Sequence, residues 1–437
     1  MTEASFLRRL LIKNLTLQGA AEAVALASGL LVTLVLSRQL GVAGFGQFNY
    51  LFAFLYFFLA VNDLGVNTIV VREISRAPDR AGEIIGTMLS FRLLLAVVST
   101  LVAWAVIGVV GYPPALRVSL AVFALVLPLN ALRLPGAIFQ ARLRFEYGAT
   151  VEIVTRVATA ACVVFAVWRG AGLPGVTVAL VAAEAMGMAV GLLLSARLVT
   201  PVWRFSPAAW MTVLRSSVPL GLAGMLVAIT NRIDFIMLER LAGLEQVGLY
   251  GAAYKVTGLL ERFPQLVMIT LYPVMAEVAG RDLAGLRAIY RKSVVGLGGL
   301  GLLVTALVWW LSPEILRLFG TDYVTAARGL RVLVCSTLCI YIALTGGHLL
   351  VAVGWERVSL AAWIVGAAMN VGLNFLWIPT MGYTGAALAT LTAYAFVLLV
   401  TLVAVELYLK RPAGTSPGAG RVRHDSDPLG AGIVPPS

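Results

Sequence analysis

Twelve ionisable side chains interrupt otherwise apolar stretches of this 437-residue chain. The acidic ones are Glu22, Asp63, Glu152, Glu184, Asp234 and Glu261, and the basic ones are Arg92, Arg133, Arg156, Arg232, Lys255 and Arg262. A charge surrounded by hydrocarbon is costly, so such residues face a cavity, a partner or a helix end. Cations gathered in a low-dielectric cleft attract an anion strongly. Lys255 and Arg262 stand seven residues apart, on one face of a helix. Arg232 and Asp234 belong to the apolar stretch just before, so one helical hairpin concentrates four of these groups. Glu22 and Glu184 are more isolated. A buried carboxylate of that kind carries a proton, balances a cation or simply hydrogen-bonds across helices while neutral.

A plainer structural reading competes for several positions. Arg92, Arg133 and Arg156 lie close to the expected ends of their apolar stretches, within roughly 10 Å at the helical rise, where a long side chain can snorkel to water. Glu152 and Arg156 are four residues apart with the acid first, the favourable order for a helical ion pair. Asp63 sits toward the end of its stretch, where it caps a helix or meets water. Pro128, Pro135, Pro219, Pro264 and Pro273 fall within apolar stretches, and each permits a kink.

Other chemistries lack their residues. There is no G-x4-G-K-[ST] and no H-E-x-x-H, and a G-x-S-x-G string, Gly414-Thr-Ser-Pro-Gly418, falls in the Pro/Gly/Ser-rich stretch after 410, away from the strand–turn–helix setting that motif needs. Cys162, Cys335 and Cys339 lie in apolar runs and read as packing residues, and His348 and His424 stand alone. No metal or cofactor is expected, and no enzyme. The internal loops are too short to house the catalytic loop of a membrane glycosyltransferase or ligase.

The elements that must position these charges are membrane-spanning. The chain is 60% hydrophobic and only 12% charged, about half the charge of an average soluble domain. The apolar residues come in blocks of about 20, the length that crosses a ~30 Å hydrocarbon core as a helix. About twelve such blocks are legible, near 15–37, 43–70, 86–110, 115–138, 150–168, 173–197, 215–239, 246–275, 293–312, 327–352, 358–379 and 382–408. The expected fold is thus an all-α integral membrane protein. The first block is too long for a signal-peptide core and reads as an uncleaved helix.

The net charge of +12 is explained by topology, not by nucleic acid. About 20 basic residues fall on the side of the N-terminus and about 7 on the other. Among the first set are Arg8, Arg9, Lys13, Arg72, Arg142, Arg287 and Lys410. Both termini are therefore expected in the cytoplasm, which requires an even number of spans. The stretch from 410 to 437, rich in Pro, Gly and Ser, is expected to be a disordered cytoplasmic tail.

The chain also echoes itself. Arg38 is followed 202 residues later by Arg240, and Gly41-x4-Gly46-x-Phe48 by Gly243-x4-Gly248-x-Tyr250. Gly172-Leu-Pro-Gly175 returns as Gly382-Tyr-Thr-Gly385. Such an echo predicts two six-helix lobes, 1–208 and 209–409, related by a pseudo-twofold axis along the membrane normal, with a cleft between them suited to alternating access.

These same residues carry a family resemblance. The basic N-terminus, Arg38, the Gly41-x4-Gly46-x-Phe48 turn and Asp63-Leu-Gly65 resemble the first hairpin of Wzx-type polysaccharide flippases. These flippases belong to the multidrug/oligosaccharidyl-lipid/polysaccharide exporter (MOP) superfamily. Arg232-Ile-Asp234, Val247-Gly-Leu-Tyr250, Ala253-Tyr-Lys255 and Tyr272-Pro273 resemble the same family. The resemblance implies translocation of an undecaprenyl-pyrophosphate-linked oligosaccharide across the bacterial cytoplasmic membrane, coupled to an ion gradient. It assigns Lys255, Arg262, Arg232 and Arg156 to the anionic headgroup and glycan. Asp234, Glu22 and Glu184 become groups for ion coupling or charge balance. The partners it implies are the lipid-linked oligosaccharide, membrane lipids, a glycan polymerase and glycosyltransferases. Two alternatives from the same superfamily are a drug or organic-cation antiporter, which wants carboxylates to dominate its cavity, and a peptidoglycan-precursor flippase, whose relatives often carry two further helices. A non-transporting assembly scaffold leaves the mid-span charges unexplained.

Overall fold

A computed structural model describes residues 3–279 and 281–410; the expected tail from 411 onward lies outside the described residues. Among the described residues every regular element is helical, and nine helical stretches are long and apolar enough to cross a membrane. The protein is an all-α integral membrane protein, as its hydropathy requires. The chain forms two compact units. The first comprises residues up to Lys255 together with 310–332 and 370–389; the second comprises 256–309, 333–369 and the stretch from Thr390 onward.

In the first unit, α1 (Glu3–Asp63) is 61 residues long, far beyond the ~20 needed for one crossing. It is interrupted at Gly41, whose φ of 65° and ψ of −178° lie in a region essentially closed to other residues. The two spans expected on either side of residue 40 are thereby delimited. Asp63 ends α1. Leu64 (φ 40°) and Gly65 (φ 73°) turn the chain before α2 (Val66–Arg76) begins. The expected single span 43–70 is thus broken near its end.

The span expected at 115–138 is broken further. After α3 (Ala81–Val110) come three short helices, α4 (Pro114–Phe123), α5 (Val126–Ala131) and α6 (Pro135–Ala141). Pro135 is the first residue of α6, where its missing N–H costs nothing. The turn before it tightens, with Arg133 N–H donating to the Asn130 carbonyl at 3.0 Å. Irregular backbone at membrane depth is tolerated where it is covered by protein or lines a cavity. Next come α7 (Phe145–Trp168), α8 (Gly172–Ala196) and α9 (Pro207–Ala242). Helix α7 packs on α8 and α1, and α1 on α9.

The first part of α10 (Leu244–Val278) completes the repeat. Gly243, the echo of Gly41, has the matching conformation, with φ 90° and ψ 170°. A Cβ on Gly46 would strike the Leu244 carbonyl oxygen, and one on Gly248 would strike that of Val42. Residue 244 echoes 42 and 248 echoes 46, so the two crossings are reciprocal, as a pseudo-twofold axis demands. Arg38, at the end of the first copy, donates from Nε to the Leu318 carbonyl at 2.9 Å. Beside it Ser37 donates to the Phe319 carbonyl, also at 2.9 Å.

In the second unit, the remainder of α10 meets α11 (Leu283–Arg317), α12 (Ala327–Ala352), α13 (Glu356–Met381) and α14 (Tyr383–Leu409), each through the part that lies in this unit. Met268, Met275, Leu297, Tyr341, Leu349 and Val405 centre its core. Tyr341 donates its hydroxyl to the Leu260 carbonyl at 2.9 Å. Pro264 and Pro273 are accommodated inside a continuous α10. Leu302, Leu303 and Val295 point outward, as side chains against lipid do.

Candidate functional site

Two polar constellations lie within the first unit. The first surrounds a cavity of about 690 Å³. Its chemically useful lining is Tyr56, Asp63, Arg92, Asn130, Arg133 and Gln140. The helix breaks create it. Asp63 is the last residue before the Leu64–Gly65 turn. Leu64 leans onto Gly221, where a Cβ would collide with it. Asn130 and Arg133 flank the interruption between α5 and α6. Asn62 ties the two breaks together by donating from Nδ2 to the Leu127 carbonyl at 2.9 Å.

Arg92 enters the cavity from α3. It is 3% exposed, and its contacts are loose. Its Nη2 lies 3.3 Å from Asn130 Oδ1 and 3.4 Å from the Asn130 carbonyl, with Asp63 Oδ1 3.7 Å away. Its Nε is buried with no hydrogen-bond partner. Leaving a buried donor of a charged group unmet costs about 1–3 kcal/mol or more. Arg133 differs: its Nε sits 2.9 Å from Glu184 Oε1 in a close ion pair.

The second constellation surrounds Asp234 on α9, which is 2% exposed. Tyr250 donates its hydroxyl to Oδ2 at 2.6 Å, and Asn374 donates from Nδ2 to Oδ1 at 2.6 Å. Asn374 also lies 3.1 Å from Asn370. Two residues before Asp234, the Arg232 guanidinium lies 5.5 Å from the Tyr56 ring, 5.6 Å from Phe235 and 5.7 Å from Tyr254. These are cation–π distances. Tyr56 therefore belongs to both constellations, facing the cavity and Arg232.

The structure thus gathers Arg232 and Asp234 in one cluster and brings Glu184 to the edge of the cavity through Arg133. Lys255 is half-buried on α10, next in sequence to Tyr254, in the same unit. Arg262 is exposed and belongs to the second unit. Glu22 is exposed on α1. Arg156 is exposed and paired to Glu152 at 2.7 Å, the expected helical pair. Neither Glu22 nor Arg156 lines the cavity.

Arg92 and Arg133, which from position alone could equally snorkel, line the cavity instead, and Asn130, Gln140 and Asn374 stand in no motif that marks them. A signal was present: Asn130 and Arg133 lie between Pro128 and Pro135, and two prolines that close mark a broken helix.

Comparison with known proteins follows the same lines. The family model described as "Polysaccharide biosynthesis protein" matches residues 11–279, and the model described as "MatE" matches 219–376. Two uncharacterized membrane proteins of Methanocaldococcus jannaschii are 26% and 23% identical over 40% and 45% of this chain. The matches span 35% and 46% of those relatives, less than half the length of each.

Solved structures match over more of the chain. An inward-facing multidrug resistance MATE family transporter of the MOP superfamily has a TM-score of 0.72 at 15% identity, over 87% of this chain and 94% of its own. The lipid II flippase MurJ, in an inward closed conformation, has a TM-score of 0.70 at 12% identity, covering 90% and 87%. A MOP superfamily transporter from Pyrococcus furiosus, whose binding pocket is described as having reversed polarity, has a TM-score of 0.63 at 17% identity, covering 89% and 93%. With one family model spanning more than half of the chain, the chain belongs to the polysaccharide biosynthesis protein family, and it shares the fold of these solved structures.

Proposed function

We propose that the protein translocates an undecaprenyl-pyrophosphate-linked oligosaccharide across the bacterial cytoplasmic membrane by alternating access of two six-helix lobes, 1–208 and 209–409. The observation that carries this reading is the cavity lined by Arg92, Arg133, Asn130 and Gln140 inside an apolar body. Guanidinium groups suit phosphate oxygens, and amides suit sugar hydroxyls. The reciprocal glycine crossings support the two-lobe division. Asp234 is the group for ion coupling: a fully buried carboxylate already held by one hydroxyl and one amide. Lys255, Arg262 and Arg232 serve the anionic cargo along its path. Arg156 is the peripheral member of that set, exposed and paired to Glu152, and Glu22 and Glu184 serve ion coupling or charge balance. Both termini lie in the cytoplasm, and a glycan polymerase and glycosyltransferases act on the same lipid-linked units.

The reading is tested by reconstituting the full-length protein into liposomes that carry a fluorescent lipid-linked oligosaccharide. Membrane-impermeant quenching should reveal transfer between leaflets. No transfer above empty liposomes would overturn the assignment. The Lys255→Ala/Arg262→Ala double variant should lose transfer while inserting normally. A second reading, export of an organic cation, draws on the MatE match and on the Asp63 carboxylate, half-exposed at the cavity wall. Efflux of a cationic dye from the same liposomes, with no lipid transfer, would favour it.

A further inference from the structure

We propose that Arg92 is the docking group for a phosphate-ester oxyanion entering the cavity, and that Asp63 is the resident counter-ion this anion displaces. The inference deepens the translocation reading and rests on it. The two arginines of the cavity are held differently. Arg133 is engaged at 2.9 Å by Glu184, whose side chain is 18% exposed. Arg92 is buried, yet its Nε is unpartnered, its amide contacts are 3.3–3.4 Å long, and its ion pair with Asp63 is stretched to 3.7 Å. Asp63 itself is 51% exposed, so it can rehydrate when it leaves at little cost.

A guanidinium offers a fork of five donors that matches two phosphate oxygens at once. An arriving phosphate can take the place of Asp63 and satisfy the idle Nε. Asn130 and Gln140 on the same wall then supply neutral donors. Asp63 is also followed directly by the Leu64–Gly65 turn, where both residues have positive φ. The carboxylate that must move therefore sits at an existing break in the helix.

The test uses the purified full-length protein in phosphatidylcholine nanodiscs and isothermal calorimetry with three probes: farnesyl diphosphate, farnesyl monophosphate and inorganic pyrophosphate. Arg92→Gln should weaken binding of the prenyl diphosphate by at least about tenfold, the loss expected for a charge-assisted pair. Arg92→Lys should recover only part of it. Asp63→Asn, at a half-exposed position, should instead tighten binding. Thermal melting of each variant separates loss of the site from loss of the fold. Competition by inorganic pyrophosphate identifies recognition of the free anion, whereas binding confined to the prenyl probes identifies a lipid headgroup.

Unchanged affinity in a folded Arg92→Gln protein, or weaker binding in Asp63→Asn, overturns the proposal. So does a wild-type protein that binds none of the three probes. Failure of the translocation reading looks different: phosphate binding remains dependent on Arg92 while the wild type transfers no lipid-linked oligosaccharide.

Discussion

Asp234 and Arg92 show how single side chains at similar depth are treated in opposite ways. The Asp234 carboxylate has a donor on each oxygen, from Tyr250 and Asn374. Removing one takes a short hydrogen bond from a buried carboxylate. Tyr250→Phe and Asn374→Ala should therefore each destabilise the protein by about 1–3 kcal/mol, measured as a lowered melting temperature in detergent. The paired removal Asp234→Asn/Tyr250→Phe should cost less than the sum of its parts, because both changes break one interaction. Arg92 has no such complement, and its destabilising idle donor is what marks it as a group awaiting a ligand.

At the scale of elements, the helix breaks do most of the positioning. Gly41 and Gly243 adopt a backbone conformation closed to residues with a Cβ. Ala at either position should cost about 1–3 kcal/mol, read from thermal unfolding. Ala at Gly46 or Gly248 should do comparable damage for a different reason, a steric clash with a carbonyl oxygen across the crossing.

These breaks also explain what was legible in the sequence. The glycine echo was readable because a positive φ leaves glycine as the natural occupant. The all-α membrane-spanning character was readable because hydrocarbon thickness demands long apolar blocks, whereas the ends of the helices were not, since α9, α10 and α11 run to 35 or 36 residues. The subdivision of span 115–138 into three helices was only hinted at by Pro128 and Pro135. The same residue type stays inside a continuous helix at Pro264 and Pro273. Arg92 and Arg156 looked alike, each near a span end. One is buried against α5 and the other lies exposed beside Glu152. Burial of that kind depends on which helices pack together, and distance along one helix does not carry it.

For the whole molecule, the distribution of basic residues makes a topological prediction. Single cysteines placed at Arg142 and Arg169, in a background lacking Cys162, Cys335 and Cys339, should react with a membrane-impermeant maleimide from opposite sides. Labelling of the Arg169 site in intact cells, with the Arg142 site labelled only after lysis, is the outcome expected from the positive-inside rule. The reverse pattern would turn the proposed direction of transfer around.

The reciprocal crossing of Gly46 over Leu244 and of Gly248 over Val42 has a symmetry of its own. A contact in which residue i meets j, and the copy of i meets the copy of j, is the isologous contact of a symmetric dimer. A half-length chain holding only the first copy would present the same glycine and the same carbonyl to a second molecule of itself. The joint between the repeats thus has the geometry of an isologous interface written within one polypeptide.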